Sequence, residues 1–159
     1  MNKTTFLIAV AIAFLIYWYS RKIDAAKNFT YQIGSPREVK LFATSLQFLL
    51  DIKVTNADSA GVNINSSNTE IYIKNGNSYE LVSNNALFTA TKIAGKAVTS
   101  LPLTVQINYL DLYAALRNNV SSMAGLYEKL RAGIEFNLKG NLVTESVPIK
   151  INQNFKLKI

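Results

Sequence analysis

The chain of 159 residues has no cysteine and no histidine. Without cysteine there is no disulfide, thiolate nucleophile or iron–sulfur ligand, and a disulfide-stapled secreted scaffold is excluded. Without histidine the commonest general base, the imidazole zinc ligand and the Ser-His-Asp arrangement are lost together. The seven glycines, Gly34, Gly61, Gly76, Gly95, Gly125, Gly133 and Gly140, stand apart from one another, so no glycine-rich phosphate cradle is present. Acidic residues are few: 10 against 17 lysines and arginines, a net charge of +7. The ten carboxylates (Asp24, Glu38, Asp51, Asp58, Glu70, Glu80, Asp111, Glu128, Glu135 and Glu145) fall one by one across the sequence. Paired acid/base chemistry needs two carboxyl groups held close together, whereas isolated ones belong on solvated faces. The expectation is no enzyme, no cofactor and no metal, and a catalytic reading would need a carboxylate pair assembled by folding.

What is present is one uncharged run. Thr4 to Ser20 (TTFLIAVAIAFLIYWYS) lies between Lys3 and the pair Arg21-Lys22. As a helix it rises about 26 Å, against a hydrocarbon core about 30 Å thick. Thr4, Phe6, Leu7, Ile8, Val10, Ile12, Phe14, Leu15 and Ile16 supply the apolar surface, and Tyr17, Trp18 and Tyr19 cluster at one end, where amphipathic rings favour the headgroup level. Lys3, Arg21, Lys22 and Lys27 are the interfacial bases, long enough to snorkel. A cleavable secretory signal also starts basic and runs apolar, but cleavage needs small residues, and this run ends in Ile16-Tyr17-Trp18-Tyr19. The run therefore predicts one uncleaved transmembrane helix and an integral, single-pass membrane protein of either a bacterial membrane or the internal membrane of a virion. The basic residues tip the C-terminal part toward the cytoplasmic or equivalent side.

The remainder suits one domain and is too short for two ordinary ones. The predicted division is 1–28 for the anchor helix and its extension, 29–35 for a link, and 36–159 for the domain. From Pro36 onward the hydrophobic pattern has period two, the mark of strands with one buried face. Phe48, Leu50, Ile52 and Val54 keep one parity, as do Ile71 and Ile73 ahead of the turn pair Asn75-Gly76. Leu101, Leu103, Val105 and Ile107 form another such set, followed by Ile134, Phe136 and Leu138. Val147, Ile149 and Ile151, then Phe155, Leu157 and Ile159, carry the alternation to the last residue. One helical interval, Tyr109 to Arg131, interrupts the strands. Asn118-Asn119 and Ser121-Ser122 divide it in two, with serine capping the second helix. The pattern predicts a mainly β chain: an antiparallel β-sandwich, immunoglobulin-like, of seven to eight strands with a helical crossover.

The order of short motifs resembles the late-embryogenesis-abundant type 2 domain, also called the water-stress and hypersensitive-response domain. The motifs are a long strand ending in Thr55-Asn56-Ala57-Asp58, the strand Glu70-Ile71-Tyr72-Ile73-Lys74 closing on Asn75-Gly76, Leu101-Pro102-Leu103-Thr104-Val105, a helix, and Ile134 to Leu138 followed by Lys139-Gly140. The resemblance runs from about Val39 to Ile159. Asn56-Ala57-Asp58 departs from the family's Asn-Pro-Asn step. The resemblance implies a sandwich with a helix at one end and no catalytic apparatus, in a family that includes desiccation-linked proteins and membrane-anchored envelope proteins.

Three further features have binding readings. Asn56, Asp58, Ser59, Asn63, Asn65, Ser66, Ser67 and Asn68 are oxygen-rich, but calcium sites need several carboxylates at set spacing, so turn-forming chemistry is the better reading. Lys139, Lys150, Lys156 and Lys158 fall opposite the apolar parity of the last strands and form a candidate lipid or partner face. No aromatic-basic interleaving supports nucleic-acid stacking, and no small-molecule substrate is expected. The Asn-x-Ser/Thr triplets at Asn2, Asn28, Asn65 and Asn119 matter only in a glycosylating compartment. Together these readings predict a membrane-anchored, non-enzymatic structural or adaptor protein of a bacterial envelope or a lipid-containing virion, its partners the bilayer and neighbouring envelope or capsid proteins. The alternative is a stress-protective or lipid-binding module.

Overall fold

The computed structural model describes residues 3–84, 86–87, 89–145 and 147–159, with side chains throughout except at residues 3–6 and 86–87. The chain opens with helix α1 (Lys3–Lys27), followed by β1 (Thr30–Ile33), β2 (Arg37–Leu41), β3 (Ser45–Asn56), β4 (Val62–Asn75), β5 (Ser78–Ser83), β6 (Ala86–Leu87), β7 (Thr91–Ile93) and β8 (Ala97–Asn108). Helices α2 (Tyr109–Leu116) and α3 (Met123–Ala132) lead to β9 (Ile134–Thr144) and β10 (Ile149–Leu157).

All the strand pairings are antiparallel and fall into two sheets of five strands. One has the order β1-β3-β8-β6 with β2 also on β3; the other has the order β10-β9-β4-β5 with β7 also on β4. The strand with parity Phe48, Leu50, Ile52 and Val54 pairs in unbroken register with β8, from Ser45 opposite Asn108 to Asn56 opposite Ala97. Each of those four side chains is fully buried, as are Leu101, Leu103, Val105 and Ile107 across the ladder. The second sheet returns Ile64, Ile71, Ile73, Phe136 and Leu138 to the same core. Phe155 of β10 joins the layers, its ring centroid 6.0 Å from Phe48 and 5.5 Å from Phe136. Burying each large side chain contributes about 1.5–3 kcal/mol, so this parity is what forces two sheets face to face.

The α2–α3 pair carries the chain from the first sheet to the second. Leu112, Ala115, Leu116, Leu126 and Leu130 are buried. The break falls at the Asn and Ser residues, and the Ser122 hydroxyl accepts from the Gly125 N–H at 3.1 Å. The pair closes one end of the sandwich, where Asn75 donates to the Ala115 carbonyl at 2.8 Å and the Ile159 N–H to the Leu130 carbonyl at 3.3 Å. Along the open side between β1 and β10, side chains replace a backbone ladder. The Tyr31 hydroxyl accepts from the Asn152 N–H at 2.8 Å, and Gln153 Oε1 accepts from the Ile33 N–H at 3.1 Å.

Three stretches differ from the sequence reading. The stretch 29–35, read as a link, contains β1, paired with β3 from Thr30 opposite Thr55 to Ile33 opposite Ile52. Asn63, Asn65, Ser66, Ser67 and Asn68, read as turn-forming, lie inside β4, where register shifts between Ile64 and Ser66.

The third difference is a correction: among the described residues no helix is long and apolar enough to cross a membrane. This overturns the expected transmembrane helix and the integral, single-pass localisation. The physical reason is visible in α1. Its uncharged run, Thr4 to Ser20, rises about 26 Å, short of a hydrocarbon core of about 30 Å, and charged residues follow at once. The turns that follow bring in Arg21, Lys22 and Asp24, and they are committed to the sandwich, with Ala25 and Ala26 buried. The side chains of Lys3, Thr4 and Phe6 lie outside the described ones, as does Asn2.

Candidate functional site

α1 combines a docked C-terminal end with a projecting apolar surface. Leu7, Ile8, Val10, Ile12, Phe14, Leu15, Ile16, Tyr17, Trp18 and Tyr19 are all exposed, from 49% at Trp18 to 67% at Leu7. They cover every side of the helix rather than one stripe, and a helix apolar all round calls for an apolar environment on all sides.

The docked end rests on the rim of the sandwich opposite α2 and α3. Arg21 donates to Asp58 Oδ1 at 3.1 Å and to the Ser59 hydroxyl at 2.8 Å. Lys22 pairs with Glu145, whose other carboxylate oxygen accepts from the Asn63 amide. The Lys22 ammonium also lies 4.0 Å from the centre of the Trp18 ring. Trp18, Lys22, Ala60, Gly61, Asn63 and Lys92 enclose a space of about 260 Å³ between helix and rim. Lys27 occupies the last turn, where a positive charge suits the helix dipole.

The turn that holds Asp58 is built by its own side chains. Asn56, almost fully buried, donates to the carbonyls of Ala60 at 2.8 Å and Ala94 at 3.1 Å, and accepts from the Asp58 N–H at 3.0 Å. Asp58 Oδ1 accepts from the Ala60 N–H at 2.9 Å. That N–H, reinforced by the Arg21 charge, holds the Asp58 carboxyl below its usual range. The Lys22 hydrogen bond, with help from Asn63, does the same for Glu145. Asn56 and Asp58 thus turn their oxygens to the backbone and to Arg21.

Of the other carboxylates, Asp51 and Glu38 share Arg37, while Glu70, Glu80 and Glu135 each have a partner of their own. Arg37 grips Asp51 through two hydrogen bonds of 2.7 and 3.1 Å, and this pairing lowers the Asp51 pKa. Glu70 accepts from the Tyr72 hydroxyl at 2.7 Å, Glu80 from Asn75 at 3.0 Å, and Glu135 pairs with Lys74 at 3.4 Å. Among the described residues no three Asp or Glu side chains come together in a way that could hold a metal ion.

The candidate basic face is dispersed. Lys139, Lys150 and Lys156 sit on the outer face of the second sheet, opposite Asn152, Asn141 and Glu135 in register, and Lys158 follows β10. Glu70 and Glu135 share that face, so its charges alternate in sign. The exposed residues of the helix pair, Leu110, Met123 and Tyr127, lie at the end remote from α1.

No family model matches the chain, and no curated protein matches it in sequence. Solved structures resemble it at low identity. A protein from Archaeoglobus fulgidus is 13% identical with a TM-score of 0.43, the match covering 83% of this chain and 97% of that one. A solution structure described as a candidate late embryogenesis abundant protein is 11% identical with a TM-score of 0.42, covering 98% and 86%. Beta-glucosidase 3B from Thermotoga neapolitana is 14% identical with a TM-score of 0.35, covering 83% of this chain and 17% of the enzyme. The assignment of the fold rests on the chain's own two antiparallel sheets.

Proposed function

We propose that this protein is a non-enzymatic structural adaptor that attaches a β-sandwich to a lipid layer by burying α1 part of the way into it. The observation that carries the reading is the all-round apolar surface from Leu7 to Tyr19, joined to the domain through Arg21–Asp58 and Lys22–Glu145. The uncharged run as a whole, Thr4 to Ser20, rises about 26 Å, which exceeds one leaflet of a bilayer about 30 Å thick and falls short of both. Tyr17, Trp18 and Tyr19 are then at headgroup depth beside the docked end. A bacterial envelope and the internal membrane of a virion both supply such a layer, and in either the sandwich is the part that meets neighbouring structural proteins.

The test is flotation of the full chain with phosphatidylcholine vesicles, beside the double variant Ile12→Asp and Leu15→Asp. A charge at depth costs about 2.5–3.5 kcal/mol, so the variant should lose well over tenfold in partitioning. Both positions are exposed, so thermal unfolding of the sandwich should not change. A native chain that stays at the bottom of the gradient, or a variant that floats equally well, overturns the reading.

A further inference from the structure

On the outer face of the second sheet, β9 and β10 place a cluster of amides beside two tyrosines. Asn137 has outward parity, between the core residues Phe136 and Leu138, yet it is only 5% exposed because its neighbours cover it. Its amide group donates to Asn152 Oδ1 at 3.0 Å and to Asn154 Oδ1 at 2.7 Å. The Asn154 amide donates in turn to Glu135 at 3.0 Å and to the Tyr79 hydroxyl at 3.4 Å. The network fixes which way each amide points. Next to it the Lys139 ammonium lies 4.9 Å from the centre of the Tyr72 ring and 5.3 Å from that of Tyr79. Its cross-strand neighbour Glu70 is engaged by the Tyr72 hydroxyl instead. Tyr79, Asn137, Lys139, Asn152, Gln153 and Asn154 line an open depression of about 450 Å³.

The hydrogen-bond inventory of this cluster is unbalanced. Among the described residues, the Asn152 amide N–H groups, the Tyr79 phenolic proton and the three Lys139 N–H groups have no acceptor. Asn137 Oδ1 has no donor and is buried. A ligand suited to this face is rich in acceptors, carries negative charge for a lysine held by rings rather than by a carboxylate, and has an apolar surface to lie on the 38%-exposed Tyr79. Side-by-side amides also match adjacent hydroxyls, each both donor and acceptor.

We infer that this face binds an acidic saccharide, its hydroxyls on Asn152 and Asn154, its carboxylate or sulfate on Lys139 and its ring against Tyr79. A nucleic acid fits less well, because successive bases need successive stacking platforms and the depression is lined by one ring, Tyr79. A lipid headgroup also fits less well. Lys139 lies six residues, roughly 20 Å, along β9 from Glu145 at the α1 seat, on the side of the sandwich rather than its end.

The experiment is calorimetric titration of the full chain with oligogalacturonate, with a neutral cello-oligosaccharide and with phosphatidylglycerol vesicles. Oligogalacturonate should bind at least tenfold more tightly than the neutral sugar. Tyr79→Ala should weaken it at least tenfold, and Lys139→Met should abolish the preference for the acidic sugar. Both variants should keep the thermal transition of the native chain; if either does not, Tyr79→Phe, which removes only the hydroxyl, and Asn152→Asp, which replaces the donor amide by a carboxylate that repels an acidic sugar, should each weaken binding instead. No binding of oligogalacturonate, equal binding by native and variant chains, or binding confined to the vesicles overturns the inference.

Discussion

Arg21 and Lys22 look alike in the sequence, two bases closing an apolar run, and the reading as interfacial anchors uses only that position. The fold gives them specific partners, Asp58 and Glu145, from loops 37 and 123 residues away, and no local pattern announces either contact. Asn56 was more legible, since an Asx residue after a strand signals a turn, and its three hydrogen bonds are that turn. The seat has a pH signature. Both carboxyls lie below their ordinary values of about 3.8 and 4.5. Groups with lowered pKa contribute stability that is complete above the unfolded values and is lost as pH falls through the folded ones. Docking of α1 should therefore be constant near neutrality and weaken below about pH 4. Trp18 is the only tryptophan and stacks on Lys22, so its fluorescence reports the event. We expect acidification to shift its emission, and Glu145→Gln to bring the neutral spectrum toward the acid one; an emission independent of pH between 6 and 3 would remove the latch from the account.

Among the elements, those with long, strict parity were readable. β3, β8, β9 and β10 bury alternate side chains as their sequences dictate. β1 was not, because only Ile33 of its four residues is buried and the rest of its stability comes from pairing with β3. The first half of β4 was hidden for a related reason: its Asn and Ser residues favour turns locally, and pairing with β7 and β9 overrides that preference. Gly140 shows where a short motif has a physical cause. Its φ is +148°, and a Cβ there would lie 2.1 Å from the Asn68 carbonyl oxygen, so the close approach of β4 to β9 requires glycine. Gly140→Ala should destabilise the protein by about 3 kcal/mol or more, seen as a lower urea midpoint, because it adds backbone strain to a steric clash. An unchanged midpoint would mean that the two strands separate at little cost.

On the scale of the whole molecule, the two ends of the sandwich have different tasks. One end is sealed by α2 and α3, and the other holds α1 through charged side chains at the rim. Parity could say that two sheets exist but not which loops meet at which end, since that depends on strand order. The amide cluster was invisible for the same reason: Tyr79, Asn137 and Asn154 are brought together by the β10-β9-β4-β5 order and are unremarkable in their own segments. The basic residues of the last strands were legible as an outer face, but their neighbours in register, among them Glu135, were not.

The phenol of Tyr31 has a consequence for how copies of this chain coexist at high local concentration. β10 is a nine-residue edge, and an unpaired edge of that length recruits a strand from the next molecule. By taking up the Asn152 N–H, Tyr31 occupies the donor that an incoming strand would seek, and Lys150 and Lys156 flank it with charge. The phenol thus works against the joining of crowded copies into a continuous ribbon. Tyr31→Phe should release that amide to solvent, accelerating its hydrogen exchange by tenfold or more while the core amides keep their protection, and concentrated samples should slowly lengthen into fibres.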